Sequence, residues 1–149
     1  MSSERHEFHL SITSRFENID LVQTVLNDTL EALGVEEGGR HWIDLAVREA
    51  VANAIKHGNA QDPDKRVRVD FAVDGDDAVI RVRDEGGGFN PEMVADPLDA
   101  SKKLSPGGRG LLYMQRLMDQ VTHLEHPDGG TEVVLRKRIT PAENHTVRT

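Results

Sequence analysis

REAVANAIKHGN, residues 48–59, is an apolar helical run with a polar thread through it. Glu49, Asn53 and His57 recur at four-residue steps. Residues four apart on an α-helix lie above one another on one face, so a carboxylate, a carboxamide and an imidazole line up as a stripe. Buried polar groups cost free energy unless they are paired, and a stripe of this kind needs a partner.

The remainder of the chain limits what that partner can be. With 149 residues the chain is long enough for one domain with its own core, expected to span 1–149 with the core from about residue 8 to 138 and a loose tail over 139–149. There is no cysteine, so neither a disulfide framework nor a thiolate metal site can form, in keeping with a reducing compartment. A net charge of −8 argues against nonspecific nucleic-acid binding, which needs a basic surface to neutralise phosphates. No run approaches the ~20 apolar residues that cross a bilayer. The expectation is a cytoplasmic protein with a protein partner or a small ligand, and no direct contact with nucleic acid or membrane.

FHLSI (residues 8–12) alternates apolar and polar positions as a strand does. Ile19, Val22, Leu26, Leu30 and Leu33 then follow a helical period that Gly34 closes. A second helix is expected from about Glu37 to His57, packing through Trp42, Leu45, Ala46, Ala50 and Ala54 and stopped by Gly58. VRVDFAV and AVIRVRD flank the turn signal DGDD and predict a hairpin of Val67–Val73 with Ala78–Asp84. After a long Gly-, Pro- and Ser-rich segment, Glu85 to about Gly108, a third helix is expected over Leu111–Met118. VTHLEH, PDGG and TEVVLRK close the chain as another hairpin. This order predicts an α+β two-layer sandwich, with helices on one face of a mixed, mostly antiparallel sheet.

Two glycine clusters bracket the long segment. In DEGGGF, residues 84–89, a carboxylate ends a strand and the residues after it lack side chains, so a flat ligand can approach the backbone while Asp84 accepts from an exocyclic amine. A plain glycine turn explains the same residues. In SPGGRG, residues 105–110, glycines run into a helix and leave backbone N–H groups at the positive end of its dipole, a natural phosphate cradle; a glycine-rich loop before a helix is the alternative. Neither matches a P-loop or a dinucleotide-binding turn. Asn53 can connect the two clusters, because a magnesium ion carried by nucleotide phosphates needs few protein ligands. Glu49, one turn earlier, then lies near the terminal phosphate, where a carboxylate orients or deprotonates an attacking hydroxyl; a surface pairing with Arg48 or Lys56 is the alternative.

Glu49-x-x-x-Asn53 with His57-Gly58, Asp84-x-Gly86-x-Gly88, and Gly108-x-Gly110 before a helix stand in the order of the asparagine box and the two glycine boxes of a known superfamily. They resemble the ATPases shared by gyrase B, histidine kinases and mismatch-repair proteins. EAVANAIKHGN and GGRGLLYMQRLMD are most similar to the anti-sigma-factor serine kinases of bacterial partner switching. The resemblance covers roughly Phe8 to Arg138 and implies the Bergerat-type ATP-binding fold with ATP and Mg2+ as cofactors. It implies Asn53 as the magnesium ligand, Glu49 as the catalytic base and Asp84 as the reader of the adenine amine. Gly86 and Gly88 match the adenine-pocket glycines, Gly108 and Gly110 those at the phosphates, and Thr131 a threonine that hydrogen-bonds near adenine. Residues 90–107 match the ATP lid. Arg109, Lys102 and Lys103 are the basic residues within reach of a terminal phosphate.

The partners implied are a sigma factor, held off RNA polymerase, and a STAS-domain anti-anti-sigma protein phosphorylated on serine. A homodimer is among the assemblies the family adopts. The expected function is thus an ATP- and Mg-dependent serine/threonine protein kinase that sequesters a sigma factor. The alternative is a nucleotide-gated binding module with little or no kinase activity.

Overall fold

In the computed structural model, which describes residues 6–86 and 114–139, the first alternating run forms β1 (Phe8–Thr13). A 3-10 turn at Phe16–Asn18 leads into α1 (Ile19–Ala32), whose buried residues Ile19, Val22, Leu26 and Leu30 are those of the helical period. Gly34 takes φ +79°, the left-handed conformation that ends helices, and the Val35 N–H returns to the Leu30 carbonyl at 3.0 Å. The next helix, α2 (Glu37–Asn53), buries Ile43, Ala46, Val47, Ala50 and Val51. Trp42 was expected among its packing residues but is 46% exposed. It stands about 100° around the helix from Ile43, outside the stripe that meets the sheet.

The α-helix does not run to His57 as expected. It ends at Asn53, and Ala54–Gly58 form a π-helical turn, closed by the Asn59 N–H on the Ala54 carbonyl at 2.8 Å. Glu49 and Asn53 therefore lie on the α-helix proper, and His57 lies on the π turn that follows it.

Strands β2 (Arg66–Asp74) and β3 (Asp77–Asp84) form the expected hairpin. Asp74 pairs with Asp77, leaving a two-residue turn in which Gly75 takes φ +63° and Asp76 does not take a positive φ. Residues 114–117 are helical; the start expected for this third helix, 111–113, lies outside the described residues. Strands β4 (Gln120–Glu125) and β5 (Thr131–Arg138) make the second hairpin. Ile139 is buried, and its N–H bonds the Asp76 carbonyl at 2.8 Å, so packing reaches just beyond the expected core limit.

The strand order is β1-β2-β3-β5-β4, and every described pairing is antiparallel. The α+β sandwich is as expected, but the parallel component of a mixed sheet is absent among the described residues. The crossover from β3 does bring β4 back in the same direction, yet β5 inserts between them and takes both ladders. One face of the sheet presents Ile12, Val67, Val69, Phe71, Ile80, Val82 and Leu135 to α1 and α2, forming a single core. Phe71 is fully buried and stacks on Phe8 at 5.4 Å between ring centroids; burying such a side chain contributes about 1.5–3 kcal/mol. No helix among the described residues is long and apolar enough to cross a membrane.

Candidate nucleotide site

Asp84 ends β3, the middle strand of the sheet, and is only 5% exposed. Its Oδ1 accepts the backbone N–H groups of Gly86 and Thr131, each at 3.1 Å. Oδ2 accepts no hydrogen bond among the described residues. Burial raises the carboxyl above its ordinary value of 3.8, while the two N–H groups and the nearby charges of Lys65 and Arg83 act the other way. A buried carboxylate oxygen without a donor is well placed to accept one from a ligand.

Three glycines make room for this carboxylate. A Cβ on Gly58 would collide with the Asp84 carboxylate, one on Gly86 with the Gly58 carbonyl, and one on Gly130 with the Asp84 carbonyl. Gly130 also needs its φ of +91°. The end of the π turn, the end of β3 and the start of β5 thus meet at backbone distance. Thr131 is buried, and its backbone N–H is what it contributes to Asp84.

Asn59 ties these pieces together. Its Nδ2 donates to Ser14 Oγ at 2.9 Å and to the Arg66 carbonyl at 3.0 Å, and its Oδ1 accepts the Glu85 N–H at 2.9 Å. Ser14 in turn donates to the Lys65 carbonyl at 2.7 Å. Just after Asn59, Ala60 and Gln61 hold φ of +52° and +57°, a left-handed pair without glycine that costs on the order of 1–3 kcal/mol per residue. Sequence reasoning gave no role to Asn59, Ser14 or Gly130, and took Gly58 as a helix stop and as part of the asparagine-box motif. The Gly-Asn pair after the helix and the double glycine of the last hairpin were the visible signals.

Glu49 and Asn53 are both half-buried on α2, and neither makes a hydrogen bond or ion pair among the described residues. The surface pairing of Glu49 with Arg48 or Lys56 is therefore not formed. Burial, aided by the Lys56 charge, holds the His57 imidazole below its ordinary value and favours its neutral form. No group of three or more His, Asp or Glu side chains among the described residues can hold a metal unaided. The donor set fits an ion that arrives with most of its ligands, as magnesium does with nucleotide phosphates and water, and takes the Asn53 amide oxygen.

The structure brings Asp84, Gly86 and Thr131 into direct contact and places Glu49 and Asn53 together one helix away. Gly88, Gly108, Arg109 and Gly110, with Lys102 and Lys103, lie outside the described residues.

Residues 12–137 match the family model described as histidine kinase-like ATPase domain. An anti-sigma F factor from Halalkalibacterium halodurans is 30% identical over 141 residues, covering 93% of this chain and 97% of that protein. Another, from Geobacillus thermodenitrificans, is 31% identical over the same length and the same shares. The crystal structure of the RsbU and RsbW domains of a Mycobacterium tuberculosis protein superposes with a TM-score of 0.66 at 23% identity, covering 89% of this chain and 32% of that one. The fold is the same as in that structure, and with a family model over most of its length and relatives of near-equal extent, the chain belongs to the histidine kinase-like ATPase family, alongside the anti-sigma F factors.

Proposed function

We propose that this protein is an anti-sigma factor and serine/threonine protein kinase that uses ATP and Mg2+ at the site built around Asp84. Membership of the ATPase family implies ATP binding. The observation that carries the assignment of the site is the buried Asp84 carboxylate, whose Oδ2 accepts no hydrogen bond among the described residues. The anti-sigma role draws on the names of the relatives.

In this reading Asp84 Oδ2 accepts the adenine amine, and Gly58, Gly86 and Gly130 let the segments that hold the carboxylate pack at backbone distance. The Asn53 amide oxygen takes one magnesium position. Bound Mg-ATP supplies the transferable phosphoryl group and the positive charge that makes a nearby carboxylate tolerable. Glu49 holds the incoming serine hydroxyl and accepts its proton. Gly108, Arg109 and Gly110 serve the phosphates, with Gly88 completing the base pocket. A sigma factor and a STAS-domain antagonist compete for the protein. Phosphorylation adds about −1.5 to −2 charges to the antagonist and ends its claim on the interface.

The test incubates the purified chain with Mg-ATP, a purified sigma factor and a STAS-domain protein from the same cell. One phosphoserine on the antagonist, lost in Glu49→Ala while Mg-ATP still binds, is expected. Nucleotide-dependent sigma binding without any phosphate transfer would replace the kinase by a nucleotide-gated binding module.

A further inference from the structure

The sheet's other face, turned away from the helices, mixes charges, with Asp70, Asp74, Asp77 and Glu132 among its arginines. The protein has a net charge of −8, yet Arg66 and Arg68 of β2 and Arg81 and Arg83 of β3 point out from this face. Ser11, Arg68 and Arg83 are direct neighbours across β1, β2 and β3. Like charges set opposite each other on adjacent strands are destabilising, and of the Arg68–Arg83 pair only Arg83 has carboxylates beside it, Glu132 across on β5 and Asp128.

A cleft of about 310 Å3 opens at this point, lined by Ser11, Arg66, Arg68 and Arg83 together with the carboxylates of Asp84, Glu85 and Asp128. Arg81 lies outside it and has Glu132 within 3.7 Å. Inside it the arginines are unevenly paired. Arg66 donates from Nε to Ser11 Oγ at 2.6 Å and from Nη2 to the Ser11 carbonyl at 2.9 Å, which fixes the guanidinium without a carboxylate. Arg68 makes no hydrogen bond or ion pair among the described residues. Arg83 reaches Asp128 at 3.3 Å, and that aspartate is 79% exposed.

We propose that this cleft docks an acidic segment of a protein partner, one of whose Asp or Glu carboxylates binds Arg68 and displaces Asp128 from Arg83. Asp128 already shows a carboxylate against Arg83, and guanidinium forks match carboxylates in two-point geometry. The lining carboxylates of Asp84, Glu85 and Asp128 disfavour a phosphate dianion more than a single carboxylate, because repulsion scales with the charge brought in. The proposal extends the partner-binding reading given above, and it assigns that partner a contact on the sheet rather than on the helices.

The experiment titrates the full chain into a fluorescein-labelled decaglutamate peptide and follows anisotropy at low and at physiological salt. Inorganic phosphate serves as competitor, and a decalysine peptide replaces decaglutamate as a control. Saturating Mg-ATP is kept present so that the phosphate site does not take up the peptide, and saturable, salt-sensitive binding is expected. It should weaken by about tenfold or more in R68E and be largely kept in R68K. Circular dichroism and Mg-ATP affinity should be unchanged in both variants. Absence of saturable binding, equal binding by R68E, or displacement of the peptide by micromolar phosphate would each overturn the proposal. Mg-ATP affinity measured on the same samples separates the two readings. ATP binding without peptide binding rejects the docking site alone, and peptide binding without ATP binding rejects the nucleotide site alone.

Discussion

Replacing Asp84 with asparagine turns one buried oxygen into an amide nitrogen and leaves the shape of the site intact. The amide oxygen can still accept the N–H groups of Gly86 and Thr131, both 3.1 Å from Oδ1 in the wild type, so the turn stays tied. The Nδ2 group then occupies the place of the open Oδ2, and a purine amine meets a donor where it had an acceptor. Losing a hydrogen bond to a charged group costs about 1.5–3 kcal/mol, or roughly 10- to 150-fold in Kd for ATP, and two facing donors push the result toward the upper end. ITP presents a carbonyl at the same position and can accept from Nδ2, so the ratio of ATP to ITP affinity should fall further than the ATP affinity itself. Stability moves the other way. Burial raises the Asp84 carboxyl above 3.8, so the folded protein keeps a proton that the unfolded chain has released. Stability therefore declines as pH rises from that value through the raised one, and it is flat above. Above the raised value the whole penalty is present, and the uncharged amide removes it. Calorimetric titration with both nucleotides and urea unfolding at pH 7 measure the two effects. An asparagine variant that binds ATP within about threefold of wild type with an unchanged ATP-to-ITP ratio would refute the role given to Oδ2.

Asn53→Ala should abolish the magnesium dependence of ATP affinity and leave the circular dichroism spectrum unchanged, as judged by titration with and without the ion. Glu49→Gln should lower phosphate transfer by roughly 100-fold or more while ATP affinity holds, a split that single-turnover assays resolve. Gly58→Ala drives a methyl group into the Asp84 carboxylate and should cost about 1–3 kcal/mol in urea unfolding together with most of the ATP affinity. Asn59→Ala strands the Glu85 N–H and the Arg66 carbonyl and should destabilise the protein by about 2–4 kcal/mol even without nucleotide. On acidification, ATP affinity should stay constant until pH nears the raised Asp84 value, then fall about tenfold per unit, and Asp84→Asn should flatten that limb.

The parts of the fold that local pattern governs were legible. The helical period of α1 with its glycine stop, the β2–β3 hairpin and the place of Asp84 at a strand end all rest on neighbours within a few residues. Contacts between distant segments were not. Gly58 and Gly130 are glycines because Asp84 backs onto each of them, and nothing near either residue in the chain records that approach. Asn59 owes its role to Ser14, Arg66 and Glu85, which reach it from three different strands or strand ends. The π turn leaves no trace in composition, since it rearranges the hydrogen bonds of an ordinary helical sequence. Trp42 shows a different limit, because periodicity assigns a helix face only to within about one residue's rotation.

The proposed base-reading carboxylate sits on the middle strand, with two ladders on either side of it in the order β1-β2-β3-β5-β4. Fraying of an edge strand does not release Asp84, and the opening that frees it must separate β3 from β2 or β5. A nucleotide held there adds its binding energy to the cooperative unit as a whole, by RT ln(1 + [L]/Kd). Amide hydrogen exchange should therefore slow with nucleotide concentration in β2, β3 and β5 together, and the outer strands β1 and β4 should exchange at rates that ignore it.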